Sequence, residues 1–160
     1  DVLILRNKGI ENIQKILVPV SGGPNTPLCL NLAASLAYQP GIKVTVLHLI
    51  AEGSDEEKTE DGFLFVQEIV ENTLEKIPDW LDIQVKPALS ASEGIQKEIQ
   101  DGGYDLVIIG AGGDVFSYQT IFGELDDILV ESVSCSMLIA RHYQPEAAMW
   151  LNKRIHRLET

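Results

Sequence analysis

Residues 104–141 read YDLVIIGAGGDVFSYQTIFGELDDILVESVSCSMLIAR, and this stretch decides the fold. Residues 104–109 have the continuous apolar character of a strand covered on both faces, and a second such strand runs over residues 136–141. Between them stand a glycine turn, a polar loop and a helix expected over 123–132. The glycines at 110, 113 and 123 fall in the spacing G-x2-G-x9-G. Glycines let a backbone approach an anion closely and adopt positive φ, and a helix start presents unpaired N–H groups with a partial positive charge. Gly110, Gly113 and Gly123 therefore have the makings of a phosphate seat, to which Ser117, Gln119 and Thr120 would add side-chain hydrogen bonds. For Gly112, a plain tight-turn role accounts equally well for the residue.

The chain upstream repeats the alternation of strand and helix. KILVPV at 15–20 is β-branched and apolar on successive positions, and SGGPNT at 21–26 is a turn. Thr26 as N-cap and Pro27 at the first helical position open a helix whose inner face carries Cys29, Leu32, Ala33 and Leu36. A second strand is expected over 43–50 and an acidic, solvated loop over 52–61. A helix over 63–77 buries Phe63, Val66, Val70, Leu74 and Ile77. A short strand over 82–86 follows, and Ser90 with Glu93 has the spacing of a capping box for a helix that ends at Gly102 and Gly103.

Alternation of this kind predicts an α/β fold, a three-layer open sandwich around a five-stranded parallel sheet of order 3-2-1-4-5. The switch point then lies between the first and fourth of those strands, and SGGPNT and GAGG face one crevice. Residues 1–14 are a linker or an extra edge strand, 15–141 form the domain, and 142–160 form a basic tail. In the tail Ala148, Leu151, Ile155 and Leu158 share a helical face, with Lys153, Arg154 and Arg157 supplying charge. That tail docks on its own domain or a partner subunit, or else contacts an anionic membrane surface.

Composition narrows the function classes. The 160 residues are 45% hydrophobic, enough for one domain with a full core, and no apolar run approaches the roughly 18–20 residues of a membrane span. A formal charge of −12 argues against a nucleic-acid backbone as partner. Cys29 and Cys135 lack metal-type spacing and read as buried free thiols of a reducing, cytoplasmic compartment. His48 reads as a satisfied strand histidine. No nucleophile–base pair, metal-ligand spacing or tasked carboxylate pair stands out, so the chain is not expected to be an enzyme.

Three stretches, KILVPVSGGPNT, DLVIIGAGGDVFSYQTIFGE and VSCSMLIAR, resemble the opening strand, phosphate loop and closing strand of the universal stress protein family. The resemblance implies a flavodoxin-like or adenine-nucleotide-alpha-hydrolase-like domain in which Pro19, Val20, Ser21, Gly22, Gly110, Gly112, Gly113, Gly123 and Glu124 line a crevice for ATP or a related adenine nucleotide. Two departures bear on that implication. Ser21 stands where nucleotide-binding relatives carry Asp, and Glu124 stands where they carry Ser or Thr. A carboxylate about 4 Å from a phosphate charge costs roughly 1–4 kcal/mol, unless Mg²⁺ bridges the two. Helix geometry points Asp126 and Asp127 in different directions, so they read as helix-start charge rather than metal ligands. The resemblance further implies a homodimer through the last strand, Ser136–Arg141, whose start carries Ser where many relatives carry Pro. Such domains also occur as cytosolic appendages of membrane transporters and chloride channels, and the lead-in at 1–14, the start at Asp1 and the basic tail fit that setting. Two functions remain: a nucleotide-binding regulatory domain, or a ligand-independent dimerisation module.

Overall fold

A computed structural model of the chain describes residues 1–111 and 133–142. Six strands and three helices occur among them: β1 (Val2–Arg6), β2 (Lys15–Pro19), α1 (Thr26–Ala37), β3 (Lys43–Ala51), α2 (Glu56–Leu74), β4 (Leu81–Ala88), α3 (Ala91–Gly102), β5 (Leu106–Gly110) and β6 (Ser136–Arg141). They form one sheet of order β1-β6-β5-β2-β3-β4. The five strands from β2 to β6 are parallel and hold the expected order, whereas β1 joins antiparallel to β6. The sheet is thus six-stranded and mixed rather than five-stranded and all parallel. The physical reason lies at the edge: β6 without β1 would present a row of unpaired N–H and C=O groups.

Side-chain alternation along β2 divides the core. Ile16, Val18 and Val20 face α1 and α2 on one side, together with Cys29, Leu30, Ala33, Val66 and Val70. Leu17 faces the other side with Ile95 and Ile99 of α3 and with Val107, Ile109, Met137 and Ile139. Helices on both faces of a largely parallel sheet explain why its central strands are apolar at every position. Both cysteines are buried and neither is in a disulfide.

Local chemistry shifts several expected boundaries. The N-cap of α1 is Asn25 rather than Thr26, and the Asn25 side chain makes no capping bond. The acidic stretch expected as a loop over 52–61 is largely helix, because Asp55 caps α2 by accepting from Lys58 N at 3.1 Å. Glu56 and Glu57 then lie in the first turn, where negative charge is favourable. Ser90 caps α3, accepting from Glu93 N at 3.2 Å, and Gly103 closes that helix in the left-handed region.

β1 is held to β6 by more than its ladder, which runs from Val2 opposite Arg141 to Arg6 opposite Met137. Lys8 N donates to Ser136 Oγ at 2.9 Å, and Lys8 Nζ donates to the Val133 carbonyl. Ser136 is buried, and its own N–H donates to the Asp105 carbonyl at 3.2 Å. A Ser at this strand start therefore supplies an N–H donor and a hydroxyl, which accepts from Lys8 N and donates to Asn7 Oδ1 at 3.4 Å, that a Pro would lack. Among the described residues no helix is long and apolar enough to cross a membrane. The expected tail over 142–160 lies outside the described residues except for His142.

Candidate functional site

The chain moves from β2 to β3 to β4 in one direction across the sheet, then returns to place β5 on the other side of β2. The C-terminal ends of β2 and β5 are where that direction reverses, and a crevice opens outside such a switch point in open α/β sheets. Ile16 and Leu17 pair with Leu106 and Val107, which sets the two strand ends side by side.

The β2 side of the crevice is built by residues 19–25. Val20 N continues the ladder to the Leu47 carbonyl at 2.8 Å, and the chain then turns into α1 with Thr26 N donating to the Gly23 carbonyl at 3.0 Å. Ser21 and Gly22 are exposed. Gly22 has φ +79, which L side chains rarely adopt, and a Cβ on it would meet Phe65 Cζ at 2.7 Å. Phe65 in turn packs against His48 with ring centroids 5.2 Å apart. His48 Nδ1 lies 3.0 Å from the Val20 carbonyl. A carbonyl only accepts, so Nδ1 carries the proton and, in the neutral ring, Nε2 is left as an acceptor. A groove of about 370 Å³ lies beside these rings, its lining including His48, Ile50, Ser54, Lys58, Asp61 and Phe65.

On the β5 side, Gly110 pairs with Ala140 at the end of the ladder to β6, and Ala111 continues past it. Ala111 N donates to the Ala140 carbonyl at 2.8 Å. Gly110 does not have positive φ; its missing Cβ would lie 2.8 Å from Asn25 Cβ and 3.6 Å from Cys29 Sγ. The glycine is thus required by the close passage of α1 across the end of β5. Asn25 then joins the two sides: its Nδ2 donates to the Ala111 carbonyl at 2.8 Å, and its Oδ1 accepts from His142 N at 2.7 Å.

Of the expected ligand residues, Pro19, Val20, Ser21, Gly22 and Gly110 come together around this crevice. Gly112, Gly113, Gly123 and Glu124 lie outside the described residues, as do Ser117, Gln119 and Thr120. Asn25 and Phe65 were missed in the sequence. The signal for Asn25 was its place in SGGPNT with both a donor and an acceptor on one side chain, whereas Phe65 read only as part of a helix. No group of three His, Cys, Asp or Glu side chains that could hold a metal ion occurs among the described residues.

With the parallel order and the glycine-bearing crevice established, a scan against family models matches the universal stress protein family over residues 12–141. The chain belongs to the universal stress protein family. Similar solved structures include the universal stress protein UspA from Lactobacillus plantarum, at 16% identity and a TM-score of 0.59, covering 82% of this chain and 98% of that one. The universal stress protein from Archaeoglobus fulgidus in complex with dAMP is similar at 14% identity and a TM-score of 0.57, covering 79% and 96%. A universal stress protein in complex with cAMP matches at 12% identity and a TM-score of 0.65, covering 82% and 99%. At these identities the likeness concerns the universal stress protein fold. No curated protein matches the chain.

Away from the crevice, a second polar cluster ties α3 to the sheet. Glu98 is buried, pairs with Lys86, and accepts from Tyr104 Oη at 2.8 Å. Burial, followed by smaller contributions that include Glu98, pushes the Tyr104 phenol up to about 12. Burial likewise raises the Cys135 thiol above its ordinary value, which keeps it protonated and unreactive.

Proposed function

We propose that this universal stress protein domain is a regulatory module that binds an adenine nucleotide in the crevice between the ends of β2 and β5. The observation that carries the reading is the side-by-side pairing of β2 and β5 at the switch point, with β2 followed by a turn in which Gly22 has φ +79 and β5 ending at Gly110, packed against Asn25 of the same turn. Structures of the same fold described in complex with cAMP and dAMP support an adenine monophosphate as the ligand class. By the family resemblance Ser21 replaces an Asp that contacts the nucleoside and Glu124 replaces a hydroxyl residue near a phosphate, so both weaken nucleotide binding, and Mg²⁺ offsets the cost at Glu124. Calorimetric titration of nucleotide-stripped protein with AMP, cAMP and ATP, each with and without Mg²⁺, tests this. Absence of heat at millimolar concentrations of all three overturns it. Glu124→Ser is expected to raise ATP affinity by about fivefold or more, and unchanged affinity refutes the role given to Glu124.

A second reading, an interaction module working through a copy of itself, rests on the sheet edge. β1 lies along the edge of β6 through which a homodimer was expected, so a β6–β6 pair requires β1 to move or to be exchanged. Val2, Leu3, Ile4 and Leu5 of β1 are all exposed. Removing residues 1–6 is expected to raise the dimer fraction in sedimentation equilibrium, and a chain that stays monomeric would count against this route. The regulatory reading places the domain in the cytosol, with the basic tail toward a membrane or an attached transport domain. Binding of the full chain to anionic vesicles, lost on removal of residues 143–160, is the corresponding test.

A further inference from the structure

An Asn at a helix N-cap ordinarily gives its side-chain oxygen to an N–H of its own first turn. Asn25 occupies that position in α1 and makes no such bond. Its amide is spent on two other segments instead. Nδ2 donates to the Ala111 carbonyl at the end of β5, and Oδ1 accepts from His142 N just past the end of β6. One planar group thus satisfies a donor and an acceptor just past the ends of two strands, where Ala111 N to Ala140 O is the last bond between them among the described residues. No hydroxyl residue could place two atoms this way, and an Asp would lack the donor. Gly110 makes the arrangement sterically feasible, because a side chain there would strike Asn25 Cβ.

We propose that Asn25 is the positioning residue of the crevice: by holding the ends of β5 and β6 on the N-terminus of α1, it sets the register of the crevice mouth and hence the affinity for the ligand. The effect on affinity rests on the nucleotide reading above, whereas the positioning itself does not. Asn25→Ala removes both bonds, and Asn25→Asp keeps an acceptor for His142 N while setting a carboxylate against the Ala111 carbonyl. The measurement is residue-resolved amide exchange, combined with AMP titration and thermal unfolding of each variant.

In Asn25→Ala, exchange at His142, whose N–H loses its acceptor, is expected to accelerate about five- to tenfold, whereas Ala111 N–H keeps the Ala140 carbonyl and accelerates less, only as far as the end of β5 loosens. The amides of β3 and β4 stay as they were. In Asn25→Asp, acceleration is expected at Ala111 and not at His142, and AMP binds at least tenfold more weakly in both variants. Unchanged exchange at Ala111 in both variants overturns the positioning role whatever AMP does. Acceleration spread evenly over all strands overturns it as well, since that is the result of a general loss of stability. Localised acceleration together with a wild type that binds no AMP supports the positioning and overturns the nucleotide reading alone.

Discussion

Replacing Gly22 by Ala asks which of two physical terms holds the β2 side of the crevice open. The backbone at Gly22 has φ +79, and a left-handed conformation costs an L residue roughly 1–2 kcal/mol. The added Cβ would also stand 2.7 Å from Phe65 Cζ. That atom is the far tip of a half-exposed ring, so Phe65 can swing away at the expense of its tilted contact with His48, a loss of about 0.5–1 kcal/mol. The backbone term therefore exceeds the clash, and Gly22→Ala should destabilise by about 1.5–3 kcal/mol in urea unfolding. Most of that should persist in a Phe65→Ala background. If the cost disappears there, the clash was the whole effect and the backbone argument is wrong; if Gly22→Ala is neutral from the start, both terms are wrong. Gly110→Ala makes the opposite case, because its φ is ordinary and the obstruction is Asn25 Cβ, which cannot rotate aside. Its cost of roughly 1–3 kcal/mol should be relieved by Asn25→Gly and not by Asn25→Ala.

Three further outcomes follow from the packing around the crevice. Ser136→Pro removes the N–H donor to Asp105 and the hydroxyl that accepts from Lys8 N and donates to Asn7 Oδ1, so it should cost roughly 1–3 kcal/mol in chemical unfolding and accelerate amide exchange at Lys8; Ser136→Ala should show only the part due to the hydroxyl. Because the Tyr104 phenol is raised to about 12, folded and unfolded chains both hold its proton below about pH 10, and stability should fall as pH rises from there toward 12 while the unfolded chain ionises first. Tyr104→Phe should flatten that part of the pH profile and, by taking the phenol donor from buried Glu98, lower stability near neutral pH. Asp55→Ala should cost about 0.5–2 kcal/mol in thermal or urea unfolding through loss of the α2 cap, and a change below that range would mean that Glu56 and Glu57 hold the first turn unaided.

Much of the architecture was legible because burial on both faces leaves an unmistakable trace. Residues 16–20, 106–109 and 137–140 are apolar at every position, and the glycine turns after 20 and after 109 marked the crevice that the β2–β5 pairing then formed. The acidic stretch before Phe63 was misread for an identifiable reason. The buried stripe of α2 begins with Gly62, Val66 and Val70, so the first member of its helical period carries no side chain. A Cβ on Gly62 would press on Val85 and His48, a constraint set by the sheet beneath and absent from the local pattern.

By itself the sequence determined the order of elements, the parallel core and the glycine turns, since these depend on apolar periodicity and on residues with distinctive backbone freedom. Which strand would cover the edge of β6 was a question of tertiary structure, because an apolar run such as Val2–Leu5 carries no address for its partner until Ser136, 128 residues from Lys8, accepts its hydrogen bond. The same holds for Asn25. Its type and its turn were visible in the chain, but the two bonds that make it a joint between strand ends span 86 and 117 residues, and only the folded sheet brings those ends within reach of one amide.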